Sequence, residues 1–119
     1  MVFFSKRGIM ALKKKHEFMR VYKRGKFFVS SRMVMHILKN REGINRLGVS
    51  VSKKHGKAVK RNRLRRIIKE VFRYYEKTEP GFSNIGCDIV IVVNKPFEEA
   101  SFAEIRKEMK YLFKKHKLM

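Results

Sequence analysis

The stretch RLGVSVSKKHGKAVKRNRLRRIIKEVF, Arg46 to Phe72, changes its period halfway along, and that change decides the fold. Leu47, Val49 and Val51 alternate with Gly48, Ser50 and Ser52, the two-residue repeat of a strand with one buried and one open face. After Gly56 the repeat becomes helical. With Leu64 as origin and about 100° per residue, Ile67, Ile68, Val71 and Tyr75 fall within about 60° of it, with Phe72 just beyond. Asn62, Arg65, Arg66, Lys69 and Arg73 collect on another side. The segment therefore reads as strand, loop and a helix over about 58–75 that buries one stripe and presents a cationic one.

A charged helix face is ordinarily no more than a solvated surface, with acids interleaved among the bases as i,i+4 partners. Here residues 53–73 hold ten Lys and Arg against one acid, Glu70. The whole chain of 119 residues carries 31 Lys and Arg against 10 Asp and Glu, a formal net charge of +21. The excess is local. Residues 1–69 hold 22 of the bases and two acids, Glu17 and Glu42, whereas residues 70–119 hold nine bases and eight acids. Such self-repulsion destabilises a compact state unless a polyanion lies against it, which points to nucleic acid.

An anionic membrane fits poorly. No apolar run approaches the ~20 residues of a spanning helix, and the opening MVFFSKRG lacks the apolar length and the small-residue cleavage site of a signal peptide. One cysteine, Cys87, permits no internal disulfide and suits a reducing, cytoplasmic setting.

The rest of the chain supplies a frame around the central segment. Residues 1–10 read as a basic N-terminal tail and 11–119 as one domain. ALKKKHEFMRVYKRG (11–25) reads as a first helix ended by Gly25; KFFVS and RMVMHILK read as strands. TEPGFSN (78–84) is a loop, and CDIVIVVN (87–94) is apolar enough for a strand buried on both faces. A last helix covers about 98–116, with Ser101 and Glu104 at capping-box spacing and an apolar stripe of Phe102, Ile105, Met109, Leu112 and Phe113. The order is αβββαβα, an α+β sheet with helices packed mainly on one side.

Phe18 and Tyr22 share a face of the first helix, with Lys14 and Lys15 about a turn before them. Aromatics among bases are the composition of a single-strand platform; on spacing alone, such a pair is more often simply core. On the strand at 33–38, either Met33, Met35 and Ile37 or Val34, His36 and Leu38 can face the open side. Catalytic chemistry is missing: His16, His36, His55 and His116 are scattered, no metal-ligand spacing occurs, and KKHGK lacks the spacing and hydroxyl of a Walker loop.

Arg46 to Phe72 closely resembles the signature of the bacterial ribonuclease P protein subunit: a strand ending Ser-Lys-Lys, then Gly-x-Ala-Val-x-Arg-Asn-Arg, then a basic helix. LKKKHEFMRVYKRGK and CDIVIVVNKP resemble the family's first helix and later strand, so the likeness covers about 11–116. It implies a ribosomal-protein-like α+β fold with a left-handed βαβ crossover, against the usual hand. It also implies that Lys53, Lys54, Lys57, Lys60, Arg61, Asn62, Arg63, Arg65, Arg66 and Lys69 face the catalytic RNA. The single-stranded 5′ leader of precursor tRNA is expected on Lys14, Lys15, Phe18, Tyr22 and His36, the last at a sheet position often aromatic in the family. The RNA subunit would perform the hydrolysis with Mg²⁺, the protein binding no metal and having no catalytic residue; no membrane and no protein partner is implied. The alternative is a ribosomal or assembly-type RNA-binding protein without a role in cleavage.

Overall fold

The computed structural model describes residues 2–3, 10–12, 14–82, 86–97 and 101–119. Parts of the expected tail (4–9), of the loop after the basic helix (83–85) and of the start of the last helix (98–100) lie outside the described residues. The elements are β1 (Val2–Phe3), β2 (Met10–Ala11), α1 (Lys15–Arg24), β3 (Lys26–Val29), β4 (Met33–Lys39), β5 (Arg46–Val51), α2 (Ala58–Thr78), β6 (Cys87–Val93) and α3 (Phe102–Lys115). A single 3₁₀ turn, Lys53–His55, joins β5 to α2. The order from α1 onward is the αβββαβα of the sequence reading.

One mixed sheet in the order β1-β5-β6-β4-β3 organises the molecule. β5 and β6 run parallel with α2 as their crossover, and β4 is antiparallel to both β6 and β3. Within the stretch expected to be a tail, β1 pairs antiparallel with Val49 and Gly48; across its end, β2 pairs parallel with Arg46 and Leu47.

The sheet has two unlike faces. Met33, Met35 and Ile37 of β4, Leu47, Val49 and Val51 of β5, and Ile89, Ile91 and Val93 of β6 form the main core with α2 and α3. α2 contributes Leu64, Ile67, Ile68, Val71, Phe72 and Tyr75, the stripe its periodicity defines, and α3 contributes Ile105, Met109, Leu112 and Phe113. Phe102, expected in that stripe, is exposed and packs edge-on against Tyr74. Ser101 Oγ accepts the Glu104 N–H at 3.2 Å, so α3 begins at its cap.

On the other face α1 lies over a smaller cluster of Leu12, Phe18, Val21 and Val90. α1 starts four residues later than its sequence pattern suggests because Leu12 is spent on the sheet, where its N–H donates to the Leu47 carbonyl at 3.3 Å. Glu17 then starts the helix by accepting the Lys14 N–H at 2.9 Å. α1 ends at Gly25, whose backbone is extended (φ −77°). Glycine is needed there for space: a Cβ would stand 2.6 Å from the Val21 carbonyl oxygen and 2.7 Å from that of Ile37. At the far end of the basic helix, α2 continues to Thr78, three residues past its expected limit, and stops before Pro80, which cannot prolong it.

Candidate nucleic-acid interface

The strand registers place residues of the α1 face in rows across the sheet. One row runs Gly48, Val90, His36, Phe27, and the next runs Ser50, Val92, Val34, Val29. α1 covers the first row at its β5 end. The Phe18 ring lies on Gly48, where any Cβ would strike it. Phe18 is accordingly 1% exposed. Phe18, expected from the resemblance among the leader contacts, forms instead the floor beneath α1, and burial of such a side chain stabilises by about 1.5–3 kcal/mol.

Tyr22, one turn on, remains half-buried and meets His36 edge-on, with ring centroids 4.9 Å apart. His36 in turn lies 5.4 Å from Phe27, with the rings inclined by 36°. Phe27 is 58% exposed and stands on β3, an edge strand of the sheet. Tyr22, His36 and Phe27 thus make a continuous aromatic run from the wall of α1 across the sheet. Beside it the second row, Ser50, Val92 and Val34, is only partly covered. Sequence reasoning missed Phe27. The signal was the Phe27-Phe28 pair, but only the register with β4 tells which ring joins His36; Phe28, opposite Met35, turns to the other face and meets His116 at 4.8 Å.

Lys14 and Lys15 are exposed at the start of α1. The outer side of the helix adds Arg20, Lys23 and Arg24 around a shallow surface with Lys15, His16 and Met19. Burial raises the Tyr22 phenol above its ordinary pKa, so it stays a protonated donor.

Four interactions hold α1 at this height above the sheet. Arg46 donates to Asp88 through Nε and Nη2, both at 2.7 Å. Its Nη1 reaches Glu17 of α1 at 3.1 Å, and Arg20 reaches the same Asp88 at 3.4 Å. The carboxylate raises the pKa of Arg46 by hydrogen bonding, more than burial lowers it.

The second surface begins where β5 ends. Lys53, Lys54, Lys57 and Lys60 are exposed along the 3₁₀ turn and the first turn of α2, as are Asn62, Arg63 and Arg66. Arg61, Arg65 and Lys69 are partly covered. Two of these cations are tethered to backbone: Arg61 Nε donates to the Gly56 carbonyl at 3.1 Å, and Arg65 Nη2 to that of Val51 at 3.2 Å. Arg65 also donates to Asn62 Oδ1 at 2.8 Å. The pKa of Arg65 is lowered by burial and then by the charge of Arg61; that of Lys69 is lowered by burial and then by Arg73. These are like charges at i,i+4, an arrangement that weakens an isolated helix and suits one held against a polyanion. The ion pair formed by Glu70 with Arg66 is long, at 3.9 Å.

Among the described residues no group of three or more His, Cys, Asp or Glu could hold a metal ion, and no helix is long and apolar enough to cross a membrane. Glu17 and Asp88 are engaged by Arg46, and Glu104 and Glu108 by Arg32.

Comparison with known proteins agrees with this geometry. The ribonuclease P protein of Clostridium kluyveri is 46% identical over 110 residues, covering 90% of this chain and 94% of its own. That of Clostridioides difficile is 45% identical over 106 residues, covering 87% and 89%. The Staphylococcus aureus RNase P protein superposes with a TM-score of 0.79 at 30% identity, over 91% of this chain and 95% of its own. The Thermotoga maritima protein does so with 0.75 at 32%, over 88% and 96%. The family model described as Ribonuclease P matches residues 7–117, and the chain belongs to the ribonuclease P protein family.

Proposed function

We propose that this chain is the protein subunit of ribonuclease P, which promotes endonucleolytic removal of the 5′ leader from precursor tRNA. The surface from Lys53 to Lys69 binds the catalytic RNA, and the cleft between α1 and the sheet takes the single-stranded leader. The observation that carries this reading is the aromatic run of Tyr22, His36 and Phe27 on an incompletely covered sheet face. Bases stack on such a run in any order, while Lys14 and Lys15 neutralise the strand's phosphates. Family membership favours this reading over a ribosomal or assembly role.

Hydrolysis belongs to the RNA subunit with its Mg²⁺. The chain's carboxylates Glu17, Asp88, Glu104 and Glu108 are already engaged by arginines, so they are poor candidates for holding that ion. The protein's work is to raise the affinity of the ribozyme for its substrate and to screen phosphate repulsion where metal ions gather. Reconstitution with a bacterial ribonuclease P RNA at low Mg²⁺ tests this. Faster cleavage of precursor tRNA is expected, and an unchanged rate overturns the assignment.

A further inference from the structure

The outward half of α1 takes no part in the cleft. With Phe18 as origin and about 100° per residue, Val21 and Tyr22 turn toward the sheet, whereas His16, Met19, Arg20, Lys23 and Arg24 fall about 100° or more away. All five are exposed, and with Lys15 they line one shallow surface. Arg20 donates from Nη2 to Asp88 at 3.4 Å, yet its side chain stays 44% exposed. Lys23 and Arg24 make no ion pair among the described residues. The only acid of the helix, Glu17, lies on its flank and is engaged by Arg46 at 3.1 Å. Arg20 therefore faces Lys23 at i,i+3 and Arg24 at i,i+4 with no acid between them. Such an arrangement weakens an isolated helix and suits one lying against phosphates.

We propose that this outer face of α1 is a second docking surface for the catalytic RNA, taking the phosphate backbone of a paired segment. The proposal rests on the subunit reading above. Two features choose the partner. α1 and α2 pack on opposite faces of the sheet, so an RNA segment lying along α2 leaves the outside of α1 uncovered. The charge of residues 1–69, 22 bases against two acids, repels itself in the resting complex as well as in the working one. A resident RNA neutralises it throughout, whereas the substrate leaves after each turnover. The character of the face chooses the paired segment. Neither phenylalanine nor tyrosine stands among these residues, so single-stranded bases find no platform. Long cationic side chains one turn apart, about 6 Å along the helix, meet backbone phosphates without reading sequence.

The experiment measures the salt dependence of affinity for a bacterial ribonuclease P RNA, in wild type and in a Lys23→Gln, Arg24→Gln double variant. The urea midpoint of the variant should match or exceed that of wild type, since like charges are removed from an exposed face. The magnitude of its slope of log affinity against log salt should fall by about two, roughly one for each lost phosphate contact. An unchanged slope overturns the proposal. Hydroxyl-radical footprinting of the RNA in the complex then locates the contact. The double variant should expose a paired stretch that Arg63→Ala leaves protected; exposure of one shared stretch by both variants, or of an unpaired stretch, overturns the proposal. In the holoenzyme the ratio of affinities for precursor tRNA with and without a leader should stay at its wild-type value. A loss seen only in precursor tRNA binding assigns these cations to the substrate and likewise overturns the proposal. A wild-type protein that fails to bind the RNA overturns the subunit reading itself.

Discussion

Arg46 and Asp88 meet through two parallel hydrogen bonds of 2.7 Å, side by side on the parallel strands β5 and β6. The Asp88 side chain is 1% exposed and also accepts from Asn40 at 2.8 Å, so its charge is fully enclosed and fully satisfied. Arg46 extends the same network to Glu17 on α1. The pair therefore couples the sheet to the helix that walls the cleft. Asp88→Ala should cost about 3–5 kcal/mol of stability, because it leaves a largely buried guanidinium without its main partner. Urea unfolding would measure this; a loss under about 1 kcal/mol would mean that water replaces the carboxylate.

Phe18 and Phe27 should separate stability from binding. Phe18→Ala removes a ring packed on Gly48 and should cost about 3–5 kcal/mol in folding. Phe27 is largely exposed, so Phe27→Ala should leave the urea midpoint nearly unchanged. It should weaken leader-bearing precursor tRNA by about 1–3 kcal/mol if a base stacks there. Equal loss on leaderless substrate would remove Phe27 from the cleft.

These residues also show what the sequence discloses and what it withholds. Period alone places Leu47, Val49 and Val51 in the core and separates Leu64, Ile67, Ile68 and Val71 from the cations of α2, since both facts are local to one element. Arg46 and Asp88 stand 42 positions apart, and only the register of β5 with β6 brings them together. The choice between the two faces of β4, open in the sequence, is likewise settled by its neighbours: Met33, Met35 and Ile37 turn to α2 and α3, leaving His36 for α1. Phe18 misleads for a related reason. Its i,i+4 spacing with Tyr22 fixes a shared helix face, and how deep each ring lies depends on a glycine thirty residues away.

Two histidines should make stability fall in mild acid. The pKa of His36 is lowered by burial and then by His116; that of His116 is lowered by burial and by Lys26, partly offset by its 2.9 Å hydrogen bond to the Met35 carbonyl. Both rings are held neutral in the fold, while in the unfolded chain they take up protons near pH 6.5. Their contribution is thus complete above about pH 6.5 and declines as pH falls below it toward the lowered folded values. Urea midpoints between about pH 7.5 and pH 5.5 should drop in the wild type and drop less in a His36→Phe, His116→Phe double variant. Parallel profiles for the two proteins would count against this origin.

The cations of α2 should differ in what they contribute to RNA binding. Each phosphate neutralised by a side chain releases counterions, so the slope of log affinity against log salt counts the contacts. Arg63 is exposed and makes no hydrogen bond among the described residues, whereas Arg61 is tethered to the Gly56 carbonyl and so points from a fixed place. Arg61→Ala and Arg63→Ala should each reduce the magnitude of the slope by roughly one for affinity to the ribonuclease P RNA. Arg65 has a second task, since its Nη2 holds the Val51 carbonyl at the end of β5. Arg65→Lys keeps the charge and loses the planar fork that reaches both Asn62 and Val51. Its salt slope should stay near that of wild type while its affinity falls by a similar factor at every salt concentration. A slope reduced as in Arg63→Ala would show that Arg65 acts through its own phosphate contact and that the tether to β5 is incidental.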